Sequence, residues 1–369
     1  MNDSRRSRTG LELAILAIPV AAWIFFSLAG KDLRGGAFLI GDGPYYAATT
    51  LSLRYDGDVA LGNQLRGGLP VHQKQVALSH DGRLMPKHPI LISLLSVPFF
   101  ALFGVSGFLI VNVLVMLLLV LVVWATARTY VGAAASILAT WTIFGGTFLR
   151  AYVYGYQPDL LSTLLVLAGI LGVVRTRLVT GGLFLGLSGL VKVTNFFAAA
   201  VVVIVLLFRR PRTQALRTAL GMVPGVAAWM LINLMMFGGP SVTGYDRTIV
   251  LQDGVPHLVS HRDFFDLPIL EGMRGHLFHP RVGLLVNSAV LLLAIPGFVL
   301  FFRRRRWDAA LFFVVSEFLF LLFSGYRWYA SSHYGNRFLI VPVVLAAVPI
   351  AFLFEAVLER VRPRVLEKG

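Results

Sequence analysis

VSGFLIVNVLVMLLLVLVVWATA, residues 105–127, contains no charged side chain. A helix needs about 20 apolar residues to cross roughly 30 Å of hydrocarbon, and a helix apolar on every face is a membrane span or lies deep inside a large protein. The surrounding chain decides for the membrane. Of 369 residues, 57% are apolar and only 14% charged, with a mean hydropathy of +0.77, whereas soluble domains carry about one quarter charged residues. Several other runs are of similar length, and none shows the short alternating segments of a transmembrane barrel. The expected fold is an all-α polytopic membrane protein.

Working outward, the apolar runs predict about ten crossings: 11–30, 105–127, 131–149, 158–174, 179–192, 195–208, 216–237, 282–302, 308–324 and 338–357. The pair around Lys192 is short and could form one bent hairpin. The first run follows Arg5, Arg6 and Arg8 and reads as an uncleaved anchor, being longer than the apolar region of a signal peptide. No cysteine is present, which excludes disulfides, thiol nucleophiles and cysteine metal sites.

The net charge of +15 suggests nucleic acid until its placement is traced. Arg5–Arg8, Arg128, Arg175–Arg177, Arg209–Arg217, Arg303–Arg306 and Arg360–Lys368 hold 18 of the 33 basic residues. All fall on one side if the N-terminus is inside, which is the positive-inside pattern. They are read as topological anchors, including the run of four at Arg303. Both termini are then cytoplasmic, and residues 31–104 and 238–281 form two long outer segments on a single domain spanning 1–369. These segments, with juxtamembrane helices, are expected to cap the outer face.

The outer segments carry nearly every candidate for chemistry. In GDGPYYAATT, Asp42 precedes Tyr45 and Tyr46 at the start of an interfacial helix, which suits a base acting on a membrane-tethered substrate. The alternative is an Asp-Gly turn and helix cap. PKHPILISLLSVPFFALFG, residues 86–104, places Lys87 and His88 before a segment too short for a full crossing, where lysine meets lipid phosphates or snorkels. Asp159 opens the fourth span, where a carboxylate favours the helix dipole. Asp56 and Asp58 sit in a turn-like YDGD context. His257, His261, His276 and His279, with nearby acids, invite a metal hypothesis that their spacing alone does not secure. Glu317 is an intramembrane carboxylate, a functional candidate or a helix-pairing residue.

DGPYY, YDGDVALGNQ and KHP, taken in order with HPRVGLLVNSAVLLLAIPGFVLFFRRRR and WYASSHYGNRF, resemble the membrane-embedded GT-C glycosyltransferases. Within that class they are most similar to bacterial proteins of family 39 type, which includes protein O-mannosyltransferase-like and aminoarabinose transferase-like enzymes. The resemblance spans most of the chain, though each motif is short. It implies a GT-C-like helical bundle in a bacterial inner membrane that moves a sugar from a polyprenyl-phosphate donor to a glycan, lipid or protein acceptor outside. Membrane lipids are expected partners and nucleic acid is not.

Inverting transfer needs a base and a cation for the departing phosphate. The resemblance implies Asp42 as base, Lys87, Arg337 and Lys192 for the phosphate, and His88, Tyr45, Tyr46 and Tyr334 around the substrate. Family 39 proteins usually carry an acidic pair where this chain has Asp42 and Gly43, which leaves the second carboxylate unassigned, with Asp159 and Asp58 as the candidates. No cofactor is assigned, and a divalent cation is left open. Two rivals are an inactive subunit with this fold and a lipid-linked sugar transporter built around Glu317. An enzyme requires Asp42, Lys87 and Arg337 to converge on one cavity.

Overall fold

A computed structural model describes residues 2–66, 76–209, 211–252, 255–327 and 336–366. Its helices follow the apolar runs. α1 (Asn2–Leu28) leads into α2 (Gly43–Tyr55), a short α3 (Gly62–Arg66) and the apolar α4 (Leu91–Phe103). The bundle continues through α5 (Ser106–Ala127), α6 (Ala133–Gly146), α7 (Pro158–Val174), α8 (Leu178–Gly189), α9 (Asn195–Phe208) and α10 (Thr213–Phe237). After the second hydrophilic segment come α11 (Ile269–Phe278), α12 (Leu284–Asn287), α13 (Ala294–Ser324), α14 (Ile340–Leu345) and α15 (Ala347–Leu366).

Among the described residues, five helical stretches are long and apolar enough to cross a membrane: 10–28, 106–127, 213–237, 289–324 and 337–361. Five more apolar helices are shorter. In α5, Val115, Met116, Leu119 and Val120 are buried while Leu114, Leu118 and Leu121 are exposed, as expected of a span with one face on the bundle and one on lipid.

α8 and α10 pack together through glycine. Gly182 and Gly186 on α8 meet Gly221 and Gly225 on α10. A Cβ at Gly182 would strike the Thr218 carbonyl, and one at Gly221 the Val179 carbonyl. In hydrocarbon the apolar effect supplies no drive for helix association, so close backbone packing between small residues supplies it instead. Gly221→Val is therefore expected to separate these helices, costing about 3 kcal/mol and lowering the thermal midpoint in detergent by roughly 5 °C. An unchanged midpoint would remove this account of the interface.

α13 doubles back on itself. In a straight helix Phe298 and Phe313 would stand about 22 Å apart, yet their rings lie 5.6 Å apart, and Arg305 has φ −148° and ψ 61°. The reversal falls within Arg303–Arg306, where four adjacent cations cannot run on through hydrocarbon. The two runs expected at 282–302 and 308–324 are thus antiparallel arms. The first is preceded by α12 and a 3₁₀ stretch, Ala289–Leu293, instead of being helical throughout.

Contacts gather the basic clusters at one end of the bundle. Arg209 pairs with Asp308, Arg304 with Glu359 and Arg128 with Glu12. Arg175 donates to the Thr129 hydroxyl and the Ala125 carbonyl.

The hydrophilic segments meet in a four-stranded antiparallel sheet of order β2-β1-β3-β4, formed by β1 (Val76–Leu78), β2 (Leu84–Pro86), β3 (Thr248–Gln252) and β4 (Val255–Val259). Val76 pairs with Pro86 and Leu78 with Leu84, Thr248 with Val259 and Gln252 with Val255. Ala77 opposite Thr248 joins the two segments. This sheet corrects the all-α expectation. β3 carries the β-branched run Thr248-Ile249-Val250, which favours a strand, but strands this short show too few alternations to register as periodicity.

Candidate active site

Gly41 takes a left-handed φ of 59° and turns the chain into α2 with Asp42 just before its first residue. A side chain at Gly43 would have its Cβ 2.9 Å from the Tyr156 carbonyl oxygen, so position 43 has no room for a second acid. Asp42 occupies the N-cap position but makes no capping hydrogen bond with its side chain. Its carboxylate turns inward. Oδ2 accepts from Arg337 Nη1 at 2.8 Å, and Oδ1 faces His88 Nε2 at 3.8 Å.

Lys87 and His88 directly follow β2, so the sheet sets their position. Tyr245 and His261, from the second hydrophilic segment, complete the cluster. His88 Nδ1 lies 2.9 Å from the Tyr245 hydroxyl. With that hydroxyl donating to Nδ1, the ring carries its proton on Nε2, facing Asp42. Lys87 Nζ is 3.4 Å from His261 Nε2 and 5.8 Å from the centre of the Tyr245 ring. Tyr46 packs its ring 5.3 Å from His88. Tyr45 is buried beside it.

Burial and charge fix the protonation states. Burial opposes ionisation of Asp42, but the Arg337 guanidinium and the Lys87 ammonium outweigh it and hold the carboxyl well below the usual carboxylate range. Burial pulls Lys87 down to about 8, only partly opposed by Asp42. Burial, reinforced by Lys87, takes His88 and His261 down to about 3. At neutral pH the cluster therefore holds one carboxylate, two cations and two neutral imidazoles.

A second ion pair lies nearby. Lys192, in the turn between α8 and α9, donates to Asp159 Oδ1 at 2.6 Å. Asp159 is buried at the start of α7, and its partner is this lysine, beyond any favourable term from the helix dipole. Lys192 and Arg337 line one small cavity together with Ser162, Thr163 and Asn195, and both pack on Phe338.

Other candidates go elsewhere. Asp58 accepts from Ser52 and the Ala60 backbone, and Asp56 from Asn63 and Gln64, so both fold their own loop. Tyr334 lies outside the described residues. His257 is exposed in β4, His279 accepts from the Arg281 backbone, and His276 is buried on α11. Among the described residues no three His, Asp or Glu side chains gather to hold a metal ion. Glu317 lies on the exposed face of the second arm of α13, with no ion pair to the Asp42 cluster among the described residues.

Beyond Lys87, His88 and Tyr245 opens a cavity of about 210 Å³, its far wall formed by Leu190, Trp229, Ile232 and Met236. The cluster thus has charge on one side and an apolar chamber on the other. Tyr245 and His261 were not identifiable as members of the cluster from sequence, because only the sheet brings their segment against Lys87.

Residues 88–325, more than half of the chain, match the model of glycosyltransferase family 87. The chain belongs to that family. This family 87 protein also has a GT-C fold, as the motifs suggested. Its fold is similar to that of ArnT from Cupriavidus metallidurans bound to undecaprenyl phosphate, at TM-score 0.65 and 16% identity, covering 98% of this chain and 62% of that one. It is also similar to the archaeal oligosaccharyltransferase AglB from Archaeoglobus fulgidus in complex with an inhibitory peptide and a dolichol-phosphate. There the TM-score is 0.59 and the identity 13%, covering 98% of this chain and 52% of that one. The family 87 chain therefore spans only about three fifths and one half of these neighbours. No curated protein matches its sequence. Asp42, Lys87 and Arg337 fall outside the matched segment, so their assignment rests on geometry.

Proposed function

We propose that this family 87 protein transfers a sugar from a polyprenyl-phosphate-linked donor to an acceptor at the outer face of the membrane, with Asp42 as general base. The observation that carries this reading is the 2.8 Å contact of Arg337 with Asp42, with His88 Nε2 3.8 Å from the same carboxylate and the Lys87 ammonium favouring its ionised form through space. A scaffold needs no such convergence. The apolar cavity beside Lys87 and the lipid phosphates bound by the two structural neighbours support a donor with an isoprenoid tail. The gathering of basic clusters at one end supports about ten crossings with both termini cytoplasmic and the sheet as an outer cap.

The acceptor hydroxyl attacks the anomeric carbon while the bond from that carbon to the phosphate oxygen breaks. The electron pair leaves with the lipid phosphate, where Arg337 and Lys87 offset the charge, and Asp42 takes the acceptor proton. Direct displacement of this kind inverts the anomeric centre. As the leaving phosphate engages Arg337, Asp42 loses part of its counter-charge and becomes a stronger base. Asp159 and Lys192 steady the far side of Arg337, and residues 238–281 border the acceptor.

The test is transfer from a panel of radiolabelled polyprenyl-phosphate sugars in membranes containing the protein. Incorporation of label into an acceptor supports the enzyme, whereas no transfer from any donor by folded protein would favour the inactive subunit. A pH profile adds a sharper check. Lys87 is charged below about 8 and neutral above it, while Asp42 stays ionised and His88 and His261 stay neutral throughout that window. The donor KM should rise roughly tenfold per unit above pH 8. Lys87→Arg, which keeps its charge, should remove the inflection.

A further inference from the structure

Arg337 has to sit where one guanidinium serves Asp42 and lies open to a phosphate, and its backbone is held from an unexpected direction. Asn336, the residue before it, has no exposed surface, and neither does His276 on α11. Asn336 Nδ2 lies 2.5 Å from His276 Nδ1, so the amide N–H donates to the ring nitrogen and fixes the imidazole tautomer. The Asn336 carbonyl accepts from the Leu339 N–H at 3.0 Å, closing the 3₁₀ turn Arg337–Leu339. One side of Asn336 is thus bound to α11 and the other starts the turn that presents Arg337.

α11 is itself well seated at this point. Gly272 brings its backbone onto that of Ser324 at the end of α13, where a Cβ would clash. The His276 ring packs 5.8 Å from Phe320, and the Phe323 backbone engages it as well. Elsewhere on α11, Ile269, Leu270 and Phe278 are exposed. A histidine with no exposed surface on a helix whose other long side chains are exposed or half-buried, bonded to the residue next to Arg337, calls for a reason beyond packing. We infer that His276 is a positioning residue that sets Arg337, through Asn336, for its contacts with Asp42 and the donor phosphate. The reach to the phosphate rests on the function proposed above, but the placement of Arg337 does not. Burial lowers the basicity of His276, opposed in part by its hydrogen bonds with the Phe323 backbone and Asn336.

The experiment is a double-mutant cycle on the purified full chain in detergent, with His276→Leu and Arg337→Ala alone and together. The probe is undecaprenyl phosphate. His276→Leu should weaken its binding about tenfold in the wild-type background and less than about twofold in Arg337→Ala. His276→Gln, which restores an acceptor for the amide, should return binding to within about threefold of wild type. Equal weakening in both backgrounds, or wild-type binding by His276→Leu, would overturn the inference. The same cycle is read by thermal unfolding, where the double variant should lose less than the sum of the singles because the Asp42 contact is lost once only. If the wild type does not bind undecaprenyl phosphate, the functional reading fails, and this second cycle decides the placement of Arg337, with additive losses overturning it. Should His276→Leu fail to fold, Asn336→Ala takes its place, since it removes the amide that reaches Nδ1.

Discussion

In Asp42→Asn, sugar transfer should fall by at least about 10²-fold, the lower range for removing a positioned base. The amide keeps the shape of the carboxylate and can still accept from Arg337, but it cannot take the acceptor proton. The substitution also removes the charge opposite a largely buried guanidinium, and breaking such a pair destabilises by about 3 kcal/mol or more. Loss of activity and loss of fold are therefore separated by a second variant. Asp42→Asn with Arg337→Gln has no unpaired charge and should recover much of the thermal midpoint without recovering transfer. If Asp42→Asn alone turned over donor at the wild-type rate, Asp42 would not be the base.

Arg337→Ala should be nearly as damaging, by another route. It removes a cation from the developing charge on the lipid phosphate, an effect of about 10²–10³ in kcat where one preorganised donor is lost. It also changes Asp42. In the wild type the carboxyl is held far below its usual range, so the stability it contributes is present at neutral pH and is lost only as pH falls through that low value. The wild-type rate should then be flat on the acid side of neutrality. Without Arg337, burial pushes the carboxyl upward with His88 and Lys87 left to oppose it, and an acid limb should enter the profile of kcat/KM. Arg337→Lys restores charge without the fork and should sit between the two. A flat acid side in Arg337→Ala would mean that Arg337 does not hold Asp42 ionised.

Much of this was legible in the sequence, for identifiable reasons. A run such as 105–127 has one physical explanation, and the arginine clusters fall at helix ends because charge cannot stay in hydrocarbon. Even the reversal inside α13 could be read from four consecutive arginines. Asp42, Lys87 and Arg337 stood out as charges next to apolar segments, and the fold does bring them together. What could not be read depended on contacts between distant segments. The pairing of Ala77 with Thr248 leaves no local trace, so Tyr245 and His261 could not be placed beside Lys87. The partner of Asp159 was hidden in the same way, because a carboxylate at the start of a helix already has a local explanation. Gly43 was seen as a missing acid, whereas its meaning lies in the Tyr156 carbonyl packed against it.

The Asp42–Arg337 contact joins residues 295 positions apart. At roughly 5–20 residues per second, a ribosome needs about 15–60 seconds to make the intervening chain. Through that interval Asp42 has left the ribosome without its partner, and the carboxylate must stay wet at the membrane surface because burying it alone is too costly. The candidate site is thus among the last parts of the molecule to close. A nascent chain lacking the final helices lacks the guanidinium, so under the proposed mechanism it should not transfer sugar before its insertion is complete.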